Sequence, residues 1–528
     1  MPLKSKASLW WIALALVLLP HLLFLSYRLS EPVGGYQSTL ESTNLLVARQ
    51  FEQRSFLNPS LDGKAPYFET PVLYPYLISL LSRITGNPAA AGRILSITAY
   101  AGSTLLLFLA GTSLTSLPVS FAAAALYASL PISLMISRNI QADGLMICFL
   151  LLAFLFFQKR KSGSAVSVFS KWVPPIAFAV ACLCSYTAWV AGAGWAVYRI
   201  LRFRGSDGWR NKTVRGDLAL GIGIPALVYF LWALPGPGSW ADSFLAAFQM
   251  KNPFLLFQSL SLPLEAFWAW SPLGFLLLVS GILLHLRLGE GQDTPLRWIS
   301  GAFLLLFLFF SKYSFYLVGL TPFTVLLAVP AWGKVLSSAF WKKAKWIIWG
   351  ATLVLGSLVG CCLVVQSKYG FDEIYQIRRL LLAGGHASSS VFVQEPVFQT
   401  QVRTFQYYFD SESIFSIERV PVDSRNQLQT GKLGGCAWVF LYSEKDPFAI
   451  GTVIRRSTNL VVLFNRLVQL ERKSPHFFRV DSWNISKGSN LPAFGLKIVE
   501  DPPMYGVRTY PVGTQIFKEG SKFLFKEK

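Results

Sequence analysis

Long runs of apolar residues separated by short polar segments dominate the first two thirds of the chain. A run of roughly 18 or more apolar residues can cross a hydrocarbon core of about 30 Å as a helix. The pattern therefore predicts an all-α polytopic membrane domain with about eleven spans, and the adjoining pair at 172–201 is short for two full crossings. The predicted spans are 9–26, 91–112, 117–136, 143–157, 172–187, 188–201, 218–235, 268–286, 297–311, 314–332 and 346–366.

The segment 27–90, between the first two predicted spans, is too long for a turn. Its second half reads "PVLYPYLISLLSRITG" at 71–86, a short amphipathic stretch bounded by proline and glycine. Such a segment can lie in the plane of the membrane surface instead of crossing the bilayer. We expect interfacial helices here, with Tyr74 and Tyr76 at the level of the lipid headgroups and Glu69 at the membrane surface.

The tail from 367 to 528 is polar and large enough to form a domain of its own. Short apolar runs, "SVFVQE", "CAWVFLY" and "LVVLF", are typical of strands, and "DEIYQIRRLLLAG" at 372–384 is typical of a helix. The sequence thus predicts two domains, a membrane domain at 1–366 and a C-terminal extracytoplasmic α/β domain at 367–528.

The net charge of +21 is concentrated in segments that connect predicted spans. Cytoplasmic loops of membrane proteins accumulate Lys and Arg. With a cytoplasmic N-terminus that carries Lys4 and Lys6, eleven spans place the basic segments 158–171, 199–215 and 332–345 all on the cytoplasmic side. The C-terminal domain then lies outside, and the basic charge is explained by the bilayer without a nucleic-acid partner.

Composition supports the same class of protein. The chain is 53% hydrophobic and 14% charged, whereas soluble domains carry about 25% charged residues. Five of the six cysteines fall within apolar runs, and only Cys436 lies in the polar tail. The His and Cys spacing matches no zinc-site pattern.

Charged residues at the predicted external boundary are the candidates for chemistry, because charge beside or within a membrane is costly and is often functional. Each has a simpler structural interpretation. Glu41 could be a solvated residue of a helix face. Asp143 could be a helix N-terminal acid that the helix dipole favours. The basic residues could be anchors that snorkel to the headgroups. The candidates are Glu41, Glu69, Arg93, Arg138, Asp143 and Lys312.

Four stretches resemble, in order and spacing, the motifs of the polyprenyl-phosphate-dependent membrane glycosyltransferases, which include protein O-mannosyltransferases and the lipid A aminoarabinose transferase. The stretch "YFETPVLYPYLISLLSRITGNPAAAGRILSITA" resembles their signature loop, and "LESTNLLVARQF" is similar to their first acidic segment. "SRNIQADGLMICFLLLA" resembles the second acidic motif, and "SKYSFYLVGLTPFTVLLA" resembles a late Lys-Tyr…Pro span. Two positions depart from the pattern: Leu40 stands where the family usually has Asp, and Thr70 where it often has Lys.

The resemblance implies a GT-C fold and an inverting transfer of a sugar from a polyprenyl-phosphate donor to an external lipid, glycan or protein acceptor. It implies Glu41 or Asp143 as the catalytic base. Arg93, Arg138 and Lys312, with Tyr313 and Tyr316, would contact the donor phosphate. Glu69 would orient the sugar or bind a divalent cation, although no cofactor is required. The expected location is a bacterial inner membrane.

Two other functions stay open from the sequence. A lipid-linked sugar transporter should carry charged residues in mid-span, along a path to both faces, and none is evident in the predicted spans. A non-catalytic membrane scaffold would agree with the departure at Leu40. Convergence of Glu41, Glu69 and Asp143 in one place would favour the enzyme over both.

Overall fold

The structure is a computed structural model of the chain. It describes residues 2–30 except 28, 38–51, 67–161 except 69, 168–202, 216–233 except 217 and 218, 266–287 except 268, 295–309, 313–335, 344–369, residue 407 and the C-terminal strands given below.

Each predicted span overlaps a described helix, and the span at 117–136 overlaps two. The helices are α1 (Pro2–Ser26), α2 (Ser38–Gln50), α3 (Leu73–Thr85), α4 (Pro88–Thr112), α5 (Leu117–Ser129), α6 (Pro131–Arg138), α7 (Asp143–Lys161), α8 (Val168–Cys184), α9 (Ala188–Arg202), α10 (Gly223–Ala233), α11 (Pro272–Arg287), α12 (Pro295–Phe309), α13 (Tyr313–Val335) and α14 (Ala344–Tyr369).

By length and hydropathy, three helical segments of the described residues can cross a membrane alone: Ser8–Ser26, Pro88–Thr112 and Leu317–Lys334. Helices α5 and α6 qualify as a fourth when they are taken together, and several other described helices are apolar but shorter. The total of eleven spans stays a prediction.

The predicted span at 117–136 is two helices, α5 and α6, bent by 58°. The break lies at Leu130, whose ψ of 135° is extended. Proline at 131 causes it, because the proline ring disfavours the helical conformation of the residue before it and supplies no N–H. Arg138 is the last residue of α6 and therefore lies at the end of the second helix of this broken span.

Helix α3 corresponds to the predicted interfacial segment. It has 13 residues and ends at Gly86, whose φ of 66° is the left-handed conformation that glycine adopts at low cost. At 1.5 Å per residue the helix is about 20 Å long, too short for the hydrocarbon core. Ile84 is exposed while Tyr74 and Ile78 are fully buried, so the helix presents one apolar face to its surroundings and packs the other inward.

The membrane helices pack closely where small residues meet. Helix α7 packs against α4 and α8, and α13 packs against α11 and α12. A Cβ atom added at Gly281 of α11 would lie 2.6 Å from the Cβ of Ala328 in α13, so the two backbones approach as closely as glycine permits. His21 of α1 lies 2.9 Å from the hydroxyl of Ser357 in α14, a contact that gives this buried histidine a structural role.

The C-terminal strands are β1 (Ser389–Val393), β2 (Phe415–Arg419), β3 (Ala437–Ser443), β4 (Asp446–Arg455), β5 (Asn459–Leu463), β6 (Phe478–Trp483), β7 (Ala493–Ile498), β8 (Val507–Pro511), β9 (Gln515–Glu519) and β10 (Lys522–Lys526). Six form one sheet in the order β2-β1-β3-β4-β5-β8, with β1 parallel to β2 and β3. The remaining pairs in this sheet are antiparallel.

The three apolar runs predicted as strands correspond to β1, β3 and β5. Parallel neighbours require crossover connections of a dozen or more residues, usually helical, and the connection from β1 to β2 is residues 394–414. That connection and the predicted helix at 372–384 lie outside the described residues, apart from residue 407. The α/β class of this domain therefore stays a prediction.

The chain divides into two compact units. The first comprises Met1–Glu31, Asn44–Val364 and Ser482–Phe494, and the second comprises Pro32–Thr43, Val365–Asp481 and Gly495–Lys528. The change of unit at 364/365 lies near the predicted domain boundary at 366/367, which stays a prediction.

Candidate functional site

The loop of residues 139–142, between α6 and α7, is held by hydrogen bonds from two helices and by one bond within the loop. The Ser96 hydroxyl donates to the Asn139 carbonyl over 2.7 Å. The Asn44 side-chain amide donates to the Ile140 carbonyl over 2.8 Å, and the Gln141 N–H donates to the Asn139 carbonyl over 3.0 Å. All five of these residues are buried. Helices α2 and α4 thereby fix the backbone that leads directly into Asp143.

Tyr74 extends this network to α3. Its hydroxyl donates to the Gly92 carbonyl over 3.1 Å and lies 2.7 Å from the Ser96 hydroxyl. The Tyr74 side chain is fully buried within the protein, and its predicted level at the headgroups stays a prediction. A buried hydroxyl needs hydrogen-bond partners, and Tyr74 finds them on α4.

Arg93 and Arg138 both hold the chain that follows α1. Arg93 donates to the Leu29 carbonyl over 2.6 Å, and Arg138 donates to the Tyr27 carbonyl over 2.9 Å. Their exposed fractions are 0% and 1%. Snorkelling requires a charged head group in water or among headgroups, so this interpretation is wrong for both arginines. They are buried charges whose hydrogen bonds fix a turn of the backbone.

Asp143 is the first residue of α7 and is half-buried. The Ser185 hydroxyl donates to its carboxylate over 3.3 Å, and Ser185 lies in the short connection between α8 and α9. An acid in the first turn of a helix is favoured by the helix dipole. The position therefore agrees with the structural interpretation and also supplies a carboxylate that Ser185 orients, which general base catalysis could use.

The same connection reaches the signature loop. The Tyr186 hydroxyl donates to the Phe68 carbonyl over 2.7 Å. Tyr186 and Phe68 belong to a buried aromatic core cluster with Tyr67 and Tyr229, and Tyr186 and Tyr229 have ring centroids 5.4 Å apart. Residues 185 and 186 thus contact Asp143 on one side and, on the other, the residue that directly precedes Glu69.

The structure reports on only some of the predicted site residues. Glu41 lies in the first turn of α2 and is fully buried, so its interpretation as a solvated residue is wrong. Glu41 belongs to the second compact unit, whereas Asp143 belongs to the first. Glu69 and Lys312 lie outside the described residues, and so do the side chains of Tyr313 and Tyr316. Convergence of the three carboxylates stays a prediction.

Within the described part of the chain, no group of three or more His, Cys, Asp or Glu side chains could hold a metal ion. Glu69, the predicted ligand for a divalent cation, lies outside that part. A divalent cation at Glu69 therefore stays a prediction.

Four polar residues that organise this region have no recognisable role in the sequence alone: Asn44, Ser96, Ser185 and Tyr186. Each lies within or beside an apolar run, where a polar side chain costs free energy unless it is paired. That cost indicates that each side chain has a hydrogen-bond partner in the fold. A single sequence does not show which distant group that partner is.

Part of the chain matches a known family. Residues 69–240 match the family described as dolichyl-phosphate-mannose-protein mannosyltransferase. The matched third of the chain includes four predicted site residues, Glu69, Arg93, Arg138 and Asp143. No curated protein matches the chain in a sequence search.

Solved structures are similar over most of the chain. ArnT from Cupriavidus metallidurans in the apo state superposes with a TM-score of 0.58 at 14% identity, covering 84% of this chain and 94% of ArnT. The same protein bound to undecaprenyl phosphate gives a TM-score of 0.54. The oligosaccharyltransferase of Archaeoglobus fulgidus gives 0.52 at 12% identity, covering 76% of this chain and 62% of its own. The chain therefore shares the fold of ArnT and of this oligosaccharyltransferase, as the resemblance carried by the sequence motifs implies.

Proposed function

We propose that the protein is a membrane glycosyltransferase that moves a sugar, with inversion, from a polyprenyl-phosphate donor to an acceptor outside the cytoplasm. One observation carries the proposal: the family match covers the predicted loop, both buried arginines and Asp143, on a fold similar to that of ArnT. ArnT has been solved with undecaprenyl phosphate bound, which supports a donor of this class.

In the proposed step, an acceptor hydroxyl oxygen attacks the anomeric carbon of the donor sugar. A carboxylate takes the hydroxyl proton, the bond from carbon to the phosphate oxygen breaks, and the polyprenyl phosphate leaves with that electron pair. Attack opposite the leaving group inverts the anomeric centre. Asp143 and Glu41 are the two candidates for the base, and hydrogen-bond contact of about 2.6–3.2 Å with the hydroxyl is needed.

The leaving phosphate carries negative charge, so positive groups fixed on its side of the site stabilise the transition state. Arg93 and Arg138 are buried, and hydrogen bonds to backbone carbonyls orient them. Lys312, with Tyr313 and Tyr316, would contact the phosphate from α13 and the residue before it. Glu69 would orient the sugar.

The proposed step needs no cofactor. If Glu69 also holds a divalent cation, EDTA should abolish transfer, and Mg²⁺ or Mn²⁺ should restore it. The acceptor, whether lipid, glycan or protein, would meet the site at the external face of a bacterial inner membrane. The cytoplasmic N-terminus and external C-terminal domain belong to the same proposal.

The proposal is tested with the purified full chain in lipid nanodiscs and a panel of undecaprenyl-phosphate sugars. Asp143→Asn and Glu41→Gln keep the shape of each side chain and remove its ability to accept a proton. Transfer should fall by about 10²–10⁴-fold in the variant that lacks the base, and melting curves should show that both variants fold.

Two results would count against the enzyme. Rates near the parent value in both variants would leave the reaction without either proposed base. A parent protein that binds undecaprenyl phosphate and transfers none of the panel sugars would favour the scaffold or the transporter.

A further inference from the structure

Two buried amides at the loop of residues 139–142 carry polar atoms that the described residues do not satisfy. Gln141 is fully buried, and neither its side-chain oxygen nor its side-chain nitrogen has a hydrogen-bond partner within the described part of the chain. Asn44 is 2% exposed. Its nitrogen donates to Ile140, and its oxygen likewise has no partner among described residues.

Unpaired buried amides are unusual, because each forfeits its hydrogen bonds to water and gains nothing in return. The two here are neighbours in space, since Asn44 binds the carbonyl of Ile140 and Gln141 is the next residue along the chain. The loop cannot readily adjust to pair them, because Ser96 and Asn44 hold its backbone from two other helices. Asp143 begins α7 two residues after Gln141.

The hydrogen-bonding chemistry of the three unsatisfied atoms indicates which kind of ligand group complements them. Two are carbonyl oxygens, which accept hydrogen bonds, and one is an amide nitrogen, which donates. An ionised phosphate has acceptors only and cannot satisfy the oxygens. A polyprenyl chain has neither kind of group. Sugar hydroxyls donate and accept, and they complement the whole set.

We propose that Gln141, with Asn44, hydrogen-bonds hydroxyl groups of the donor sugar and that this loop discriminates the sugar-bearing donor from the bare lipid phosphate. The inference rests on the proposed function and adds the residues that recognise the sugar. Neither amide is accessible to solvent in this structure, so the surroundings of the loop rearrange when the donor enters.

The test uses the full chain in lipid nanodiscs. The probes are undecaprenyl phosphate and undecaprenyl phosphate carrying mannose, glucose or aminoarabinose. In Gln141→Met, an unbranched apolar side chain of similar length replaces the amide. Gln158→Met, at the opposite end of α7, is the matched control. Dissociation constants and melting temperatures are measured for all three proteins.

The parent protein should bind at least one sugar-bearing probe more tightly than undecaprenyl phosphate. Gln141→Met should weaken binding of that probe by about tenfold, leave binding of undecaprenyl phosphate unchanged, and keep or raise the melting temperature because an unpaired buried amide has been removed. Gln158→Met should bind every probe as the parent does.

Three results would overturn the inference. One is a parent protein that binds no sugar-bearing probe more tightly than the bare phosphate. Another is sugar preference that persists in Gln141→Met. The third is a large loss of melting temperature, or of folding, in both Gln141→Met and Gln141→Leu, which would show that the amide is paired within the protein. Failure of the parent protein to bind undecaprenyl phosphate at all would instead count against the proposed function.

Discussion

Ser185 and Tyr186 are the residues through which Asp143 and the signature loop share a support. Ser185 donates to the Asp143 carboxylate, and Tyr186 donates to the Phe68 carbonyl. Adjacent residues of one short connection therefore position the acid of α7 and the backbone on the N-terminal side of residue 69. This arrangement favours the prediction that Glu69 and Asp143 act on one substrate molecule.

A double-mutant cycle tests this prediction. Glu69→Gln and Asp143→Asn should each lower transfer by at least tenfold. The double variant should lose much less than the product of the two losses, because residues that act on one substrate as a unit are not additive. Transfer rates of the two single variants and the double variant give the coupling. Glu69→Gln combined with Gln158→Met is the control and should be additive. Additive losses for Glu69 and Asp143 would place them in separate sites.

The sequence predicts that Arg93 and Arg138 lie at the boundary of the membrane. It does not predict the direction in which their side chains point. Hydropathy marks where a span begins, and from that position a basic residue can snorkel or turn inward. The groups that decide the outcome are the Leu29 and Tyr27 carbonyls, 64 and 111 residues away along the chain. The burial of Tyr74 could not be predicted for the same reason, because its partners lie on α4.

Among the helices, α11 and α13 are one pair whose close approach depends on a glycine. Gly281→Ala should destabilise the protein by about 1–3 kcal/mol, because the added methyl group meets the Cβ and the backbone of Ala328 and neither can move away. Thermal unfolding in detergent measures the loss. Gly301→Ala, in α12, is the matched control, since an added Cβ there meets nothing within 4 Å. It should be neutral or stabilising by up to about 1 kcal/mol. Equal effects of the two changes would show that this contact does not fix α11 against α13.

The positions of helices could be predicted from the sequence wherever a local pattern marks them. The hydropathy runs located the helices, and Pro71 with Gly86 bounded α3. Hydropathy predicts one span at 117–136, because an average over the window combines α5 and α6 into a single apolar run. Pro131 is the local signal for the bend between the two helices. Residues 185–187 were predicted to be the end of the span 172–187, and nothing local marks Ser185 as a partner of Asp143.

At the scale of the whole molecule, four short motifs in the right order were enough to recognise a fold shared at 14% identity. Few positions in this fold carry chemistry, and most membrane-facing positions require only an apolar side chain. Identity is therefore low while the path of the chain is kept. The sugar and the acceptor are not recoverable in this way, because they depend on a small number of side chains such as Gln141.

The predicted orientation of the chain in the membrane also concerns the whole molecule. Alkaline phosphatase, which is active only outside the cytoplasm, is fused after Lys161, after Ser239 or at Lys528 in a bacterial host. The fusion after Lys161 should be inactive, because the basic segment 158–171 resists translocation. The fusions after Ser239 and at Lys528 should be active, since an odd number of spans precedes each of them.

A cytoplasmic reporter fused at the same three positions is the control and should give the opposite pattern. The Lys528 fusion bears most directly on function, because it follows all eleven predicted spans. Alkaline phosphatase activity after Lys161, or inactivity at Lys528 with a stable fusion protein, would contradict the predicted orientation. Activity after Lys161 would place the start of α7 at the cytoplasmic face, and transfer to an acceptor outside would then no longer agree with the position of Asp143.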